Sequence, residues 1–272
     1  MTSIRNDAEA VLATLADALH DAESAGTTVP PPSDAHELSV EDAYFVQRVN
    51  IARRLRAGER VVGRKIGLTS VAIQRQLGVD QPDFGVITDA MVVPDAGTLD
   101  AATLIAPRAE AEFAFRIGRD LPPSPDEQTL RDAVDGVAVA IEIIDSRVAD
   151  WRITLVDTVA DNASAARIAY GEMIPTSDEL LDSLPETVIS LRRNGQDAGA
   201  GPGSAVLGHP LTSLHWLAAA IGAYGDRFAA GDVVLAGAVA AAVPLAQGDH
   251  FEASAPGLPS VSFTVSRSED ER

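Results

Sequence analysis

The chain has 272 residues, 46% of them hydrophobic, and a formal charge of −19. That length supports one large domain or a domain with a helical appendage. The charge excludes a nucleic-acid partner, which needs a basic footprint. With no cysteine, disulfides, thiolate nucleophiles and thiolate metal sites are excluded as well.

The N-terminus, Met-Thr-Ser-Ile-Arg-Asn-Asp, is polar and lacks a signal-peptide apolar stretch. The longest apolar run, 233–246, is broken by Gly237 and Pro244 and is too short for a membrane span. A cytosolic protein with no membrane partner is expected. Val11, Leu12, Leu15 and Leu19 predict an amphipathic helix over 5–25. Pro30, Pro31 and Pro32 end it as a stiff connector. Ser39 followed by Asp42 resembles a capping box and opens a second helix to about Arg56. Residues 1–60 are therefore expected to form an N-terminal helical region, and 61–272 the main domain.

Beyond Gly58 the pattern turns to short strands. Val61 to Leu68 reads as a strand carrying Lys65, with Thr69 and Ser70 capping a short helix to about Leu77. The segment from Gly78 to Gly85 reads as a loop presenting Asp80 and Asp83. Strands are expected near 86–93 and 109–117, a helix near 127–135, and a strand around Glu142. Asp145 to Trp151 reads as a polar turn, and Leu155 to Val159 as a strand or turn leading to the hydrogen-bonding loop Asp161 to Ser164. Arg192-Arg-Asn-Gly195 marks a hairpin. His209-Pro210 enters an apolar helix, and strands near 233–236, 250–254 and 261–266 close the fold. Regular strand–helix alternation is absent, and so is a glycine-rich phosphate loop. An α+β domain built on a rolled or sandwiched, mostly antiparallel sheet is predicted.

Three acids stand out. In Ala106 to Phe115 a two-residue period places Glu110 and Glu112 on one face, with roots roughly 7 Å apart, and Phe113 and Phe115 on the other. Neighbouring carboxylates repel unless a cation or a proton lies between them. Glu142 lies within the apolar run Val137 to Ile144, where an unpaired charge costs several kcal/mol. Taken alone, the Glu-x-Glu pair also fits a solvated face, and Glu142 a protonated or arginine-paired core residue. Together the three predict one shared divalent cation, Mg²⁺ or Mn²⁺, because all-oxygen ligation suits a hard ion. Such an ion chelates a 2-oxo acid and stabilises the enolate formed when a proton moves at the adjacent carbon. Lys65 is the only lysine in the chain, a compact ammonium among arginines. The five histidines (His20, His36, His209, His215 and His250) are scattered without metal-ligand spacing.

Several segments resemble the 2-keto-4-pentenoate hydratases, in the hydratase/decarboxylase branch of the fumarylacetoacetate hydrolase superfamily. They are Gly63-Arg-Lys-Ile-Gly-Leu-Thr-Ser70, Gly78-Val-Asp-Gln-Pro-Asp-Phe-Gly85, Pro107-Arg-Ala-Glu-Ala-Glu112, Ile141-Glu-Ile-Ile-Asp-Ser-Arg147 and Asp157-Thr-Val-Ala-Asp-Asn-Ala-Ser164. Gly208-His-Pro-Leu211 and Ala230-Gly-Asp-Val-Val-Leu235 continue the match, which runs in order from about 40 to 265. The resemblance implies a mixed β-roll with an N-terminal helical region, assembled as a homo-oligomer. It implies Glu110, Glu112 and Glu142 as ligands for Mg²⁺ or Mn²⁺, with Lys65 and Asp83 as active-site residues. The implied reaction hydrates 2-hydroxypenta-2,4-dienoate to 4-hydroxy-2-oxopentanoate, in the meta-cleavage breakdown of aromatic compounds. Asp83 is the candidate acid/base, and Thr69, Ser70 and Ser164 are candidates for the substrate carboxylate; capping of backbone amides is the alternative for all four.

Ala238 and Ala240 depart from the resemblance, standing where many relatives carry a hydroxyl. The rival readings are 2-oxo-3-hexenedioate (4-oxalocrotonate) decarboxylase and a hydratase of longer dienoate diacids. Either needs a cation for the second carboxylate, for which Arg147 or Arg152 qualifies if it faces the pocket. A non-catalytic metal-binding subunit is the reading from another class, and a complex with a downstream aldolase or a decarboxylase relative is the wider partner expectation.

Overall fold

The computed structural model describes residues 2–70, 74 and 79–266; the helix expected up to Leu77 falls on residues outside these. Helix α1 (Thr2–Ala25) buries Leu12 and Leu19 of the expected stripe together with Ala16, while Leu15 is half-buried and Val11 exposed. Pro32 opens a further turn, α2 (Pro32–Ala35), where a missing N–H costs nothing. Helix α3 (Val40–Arg56) begins at the expected box: Asp42 N–H donates to Ser39 Oγ at 3.1 Å, and Ser39 N–H to the Asp42 carboxylate at 3.0 Å.

The strands follow as β1 (Val61–Gly67), β2 (Asp83–Thr88), β3 (Gly97–Leu99), β4 (Arg108–Ile117), β5 (Val134–Ile144), β6 (Ala165–Tyr170) and β7 (Ile174–Pro175). The remainder are β8 (Val188–Arg193), β9 (Gln196–Pro202), β10 (Val233–Ala238), β11 (Val243–Pro244), β12 (His250–Ala255) and β13 (Leu258–Val265). Among the described residues eight strands make one sheet in the order β2-β1-β10-β4-β5-β6, with β11 on β4 and β7 on β5. Five make a second, β3-β13-β12-β8-β9. Among the described strands only β1–β10 and β3–β13 pair in parallel, so the predicted mixed, mostly antiparallel α+β class holds.

The second sheet packs on the β4–β5 pair of the first. Between them lie Phe113, Phe115, Val139, Ile141, Phe251 and Phe263, all fully buried. Hence the aromatic face of β4 points into the main core and the glutamate face points away from it. The N-terminal helices share this core through Leu12, Ala16, Ala43 and Val46. At the β8–β9 hairpin Asn194 and Gly195 have φ of 54° and 75°, the left-handed pair that a two-residue turn needs.

Four expectations are corrected. Asp83 does not lie in a loop: β2 begins there and all six of its residues are buried. That strand stops at Thr88, where a 3-10 turn takes over. The helix near 127–135 is only one turn, α4 (Glu127–Arg131), because buried Val134 already pairs with Ile117. Leu155 to Val159 is helical, α5 (Leu155–Ala160), and Asp157 accepts hydrogen bonds from Thr154 N–H and Oγ–H at its start. Helix α6 (Asp178–Ser183) and the apolar α7 (Pro210–Ala223) complete the helices described here. His209 caps α7, its Nδ1 accepting from Leu211 N–H at 3.0 Å. No helix among the described residues is long and apolar enough to cross a membrane.

Arg147 is buried and holds the 145–164 segment together. It donates to the Asp161 carboxylate at 2.5 Å and to the carbonyls of Asp145 and Asp161 at 2.6 and 2.5 Å. Breaking a buried pair strands a charge, whereas an exposed pair matters little. Arg147→Met should therefore lower urea-unfolding stability by about 3–5 kcal/mol. Arg152→Met, which breaks a half-exposed pair with Asp34, should cost about 1 kcal/mol or less. Equal losses in the two variants would contradict the anchoring role.

Candidate active site

Strand register assembles the acids. Glu110 on β4 lies directly opposite Glu142 on β5, and Glu112, two residues on, shares their face. One carboxylate oxygen from each of the three lies within 4.8 Å of the others. Lys65 on β1 is level with Leu235 of β10, which is level with Ala114 of β4. Asp83 pairs with Gly67 and Gly85 with Lys65, so Asp83 enters from the sheet edge on this same face.

The group is almost dry. Glu142 is 0%, Glu112 1%, Asp83 2% and Lys65 3% exposed. Lys65 Nζ is 3.3 Å from Glu142 Oε1 and donates a hydrogen bond to the Ala163 carbonyl at 2.9 Å. Burial pushes its pKa down, but the charges on Glu142, Asp83, Glu110 and Glu112 outweigh this and hold it above the usual lysine value. Burial raises the carboxyls, with mutual repulsion adding to it: Glu110 is pushed up to about 7 and Glu112 well above the ordinary range. Glu142 is raised by burial against the pull of Lys65. Asp83 is raised in the same way, and accepts from Thr158 Oγ at 3.3 Å.

The segment over Lys65 is strained. Asn162, Ala163 and Ser164 have φ of 55°, 51° and 54°, three successive left-handed residues without a glycine. The Asn162 amide pins the turn to β2, accepting from Val86 N–H at 2.8 Å and donating to its carbonyl at 2.9 Å. A Cβ at Gly85 would come within 2.5 Å of the Asn162 carbonyl, and one at Gly67 within 2.2 Å of Asp83 Oδ1. Both glycines therefore permit close approach rather than turns.

A cavity of about 380 Å³ opens on this group. Lys65, Thr69, Ser70, Asp83, Glu110, Glu112 and Ser164 all line it, while Glu142 lies beneath. Ala238 also lines it, but Ala240 does not. Asp80 is exposed and away from it. Sequence reasoning missed three contributors: Thr158 at Asp83, the Ala163 carbonyl on Lys65, and Arg108 beside Trp151 in the cavity wall. Arg147 and Arg152 do not face the cavity; Asp161 and Asp34 hold them elsewhere. That corrects the expectation that either reads a second carboxylate.

The residues fit a divalent cation. Glu112 Oε1 and Glu142 Oε2 are buried without a hydrogen-bond partner, and Glu142 Oε1 has Lys65 Nζ at 3.3 Å. Four carboxylates face one ammonium and one guanidinium in the cavity, and two further positive charges restore neutrality. Carboxylate oxygens are the ligands such an ion prefers.

Comparison with known proteins gives the family. Residues 61–266 match the family model described as fumarylacetoacetate (FAA) hydrolase C-terminal. The chain is 44% identical over 252 residues to 2-hydroxyhexa-2,4-dienoate hydratase of Comamonas testosteroni, covering 90% of this chain and 95% of that one. It is 44% identical over 248 residues to 2-keto-4-pentenoate hydratase of Paraburkholderia xenovorans, covering 90% and 91%. The structure of 4-oxalocrotonate decarboxylase from Pseudomonas putida G7, complexed with magnesium and adipate, superposes with a TM-score of 0.87 at 37% identity, covering 94% of this chain and 97% of that one. The chain belongs to the fumarylacetoacetate hydrolase family, in its hydratase/decarboxylase branch.

Titration calorimetry with Mn²⁺ should find one site per chain in the wild type. Glu110→Gln and Glu142→Gln should each weaken it at least about 30-fold, since truncating a buried charged contact costs about 2–5 kcal/mol. Unchanged Mn²⁺ affinity in both variants would remove the metal assignment.

Proposed function

We propose that this protein is a hydro-lyase that hydrates 2-hydroxypenta-2,4-dienoate to 4-hydroxy-2-oxopentanoate. The observation that carries the reading is the meeting of Lys65 and Asp83 with three convergent glutamates in one cavity. The 44% identity to two hydratases, against 37% to a decarboxylase, favours hydration over carbon–carbon cleavage. Glu110, Glu112 and Glu142 would hold a divalent cation, Mg²⁺ or Mn²⁺. Such an ion supplies Lewis acidity to the carboxylate and 2-oxygen of a bound 2-oxo acid.

The chain's own groups account for the proton movements. In the first stage C5 gains a proton and the 2-hydroxyl loses one, giving the α,β-unsaturated ketone. In the second, water delivers hydroxide to C4 and a proton to C3. Asp83 is the acid/base for these transfers: it lies in the cavity beside Lys65, and burial raises its carboxyl above the usual range. Thr158 holds its orientation. Lys65 stays an ammonium and offers positive charge to the enolate oxygen that develops when water adds. The Ala163 carbonyl accepts a hydrogen bond from one of its three N–H groups and fixes its direction. Ser164 Oγ is buried and unpartnered, and with Thr69 and Ser70 it lines the cavity as a hydroxyl donor to the substrate's oxygens.

The assay is loss of dienoate absorbance, with and without chelator, on the five-carbon monoacid and the six-carbon diacid. Turnover of the monoacid that disappears with chelator and returns with Mg²⁺ or Mn²⁺ is expected. Lys65→Arg should lower kcat about 10²–10³-fold, the range for losing one aimed transition-state donor. An unimpaired Lys65→Arg enzyme, or decarboxylation as the main reaction, would overturn the reading.

A further inference from the structure

Among the described residues two cationic side chains, Lys65 and Arg108, line the cavity. Along β4, alternate residues Arg108, Glu110 and Glu112 face it in that order, while Lys65 is level with Ala114 two positions further on. The Lys65 ammonium reaches Glu142, the cross-strand partner of Glu110, so in register the Glu110–Glu142 pair stands between it and Arg108. Lys65 is at the dry end, and Arg108 is half-buried toward solvent.

Arg108 is held without being neutralised. Its guanidinium carbon lies 4.4 Å from the centre of the Trp151 ring, and it makes no hydrogen bond or ion pair with the described residues. Stacking covers one face of a guanidinium and leaves the donors along its edge free for a planar anion. The stack is itself built: Asp150 and Trp151 take left-handed φ of 59° and 55°, and Trp151 Nε1–H donates to the Ala106 carbonyl at 3.2 Å. In a chain of charge −19, a free cation at the open end of a carboxylate-lined cavity also draws anions inward.

We propose that Arg108, stacked on Trp151, binds the C1 carboxylate of the substrate, the end opposite the reacting carbons. The inference rests on the hydratase reading for its direction. The carbons that exchange protons must face Asp83 and Lys65, so the carboxylate end of a molecule gripped at the glutamates points along β4 toward Arg108. Monoacids and diacids then depend on Arg108 equally, because they share that end.

The test compares wild type, Arg108→Met and Arg108→Lys, each loaded with Mn²⁺. Binding of 2-oxopentanoate, a saturated analogue that cannot react, is followed by calorimetry and by tryptophan fluorescence. Arg108→Met should weaken binding about 10- to 100-fold, the loss of one charge-assisted contact. Arg108→Lys should recover part of it. The fluorescence change should vanish in Trp151→Phe, leaving the other tryptophan silent. In turnover, Arg108→Met should raise KM alike for the five-carbon monoacid and the six-carbon diacid while kcat stays within about threefold. A KM effect confined to the diacid would overturn the proposal in favour of a distal-carboxylate role, and unchanged binding would overturn it outright. Wild type that binds 2-oxopentanoate but hydrates no dienoate would sink the hydratase reading alone. The Arg108 contact would then be judged on binding, where a 10- to 100-fold loss upholds it. Wild type that binds no 2-oxo acid would sink both.

Discussion

Two carboxylates facing one another across a pair of antiparallel strands, Glu110 and Glu142, set the problem that the rest of the site answers. Like charges directly opposite destabilise a sheet even in water, and here Glu142 has no contact with solvent at all. A third carboxylate, Glu112, joins them on the same face. The single lysine supplies one compensating charge at 3.3 Å from Glu142. That leaves buried oxygens without partners, which a folded protein tolerates where an ion or a substrate supplies what is missing.

Each layer of the fold contributes to holding that arrangement. The second sheet seals the aromatic face of β4 and β5, so the glutamate face can remain polar without weakening the main core. Helix α3 braces the edge strand that carries Asp83: Gln47 donates to the carbonyls of Phe84 and Val159, and Tyr44 Oη accepts from Phe84 N–H. The N-terminal helices are thus coupled to the site, although none of their side chains lines the cavity among the described residues. The Arg147–Asp161 pair anchors the strained turn whose carbonyl aims Lys65. Strain in Asn162 to Ser164 is sustained because hydrogen bonds on both sides over-determine it.

Much of this was legible in the sequence, for physical reasons. A period of two put Glu110 and Glu112 on one face and Phe113 and Phe115 on the other, because side chains alternate along any strand. Glu142 stood out because a charge is costly in an apolar run, and Lys65 because the chain has no other lysine. What stayed hidden was register: nothing local says that Glu110 lies opposite Glu142 rather than one residue away. Helix α5 was misread although Thr154 and Asp157 carry the same spacing as Ser39 and Asp42; its run of valine and threonine suggested a strand. The Asp83 segment read as a loop from its glycines and proline, yet Gly85 is in β2 to make room for the Asn162 carbonyl. Thr158, Ala163 and Arg108 reach the site through tertiary packing, for which their surroundings in the chain give no sign.

The central claim is that three glutamates from two paired strands converge on one hard cation. Anomalous scattering from crystals soaked in Mn²⁺ addresses it directly. One peak per chain is expected, within about 2.0–2.6 Å of an oxygen from each of Glu110, Glu112 and Glu142, the span of hard-ion–oxygen distances. No peak there, or a peak held by other carboxylates while Lys65 alone neutralises Glu142, would contradict the account.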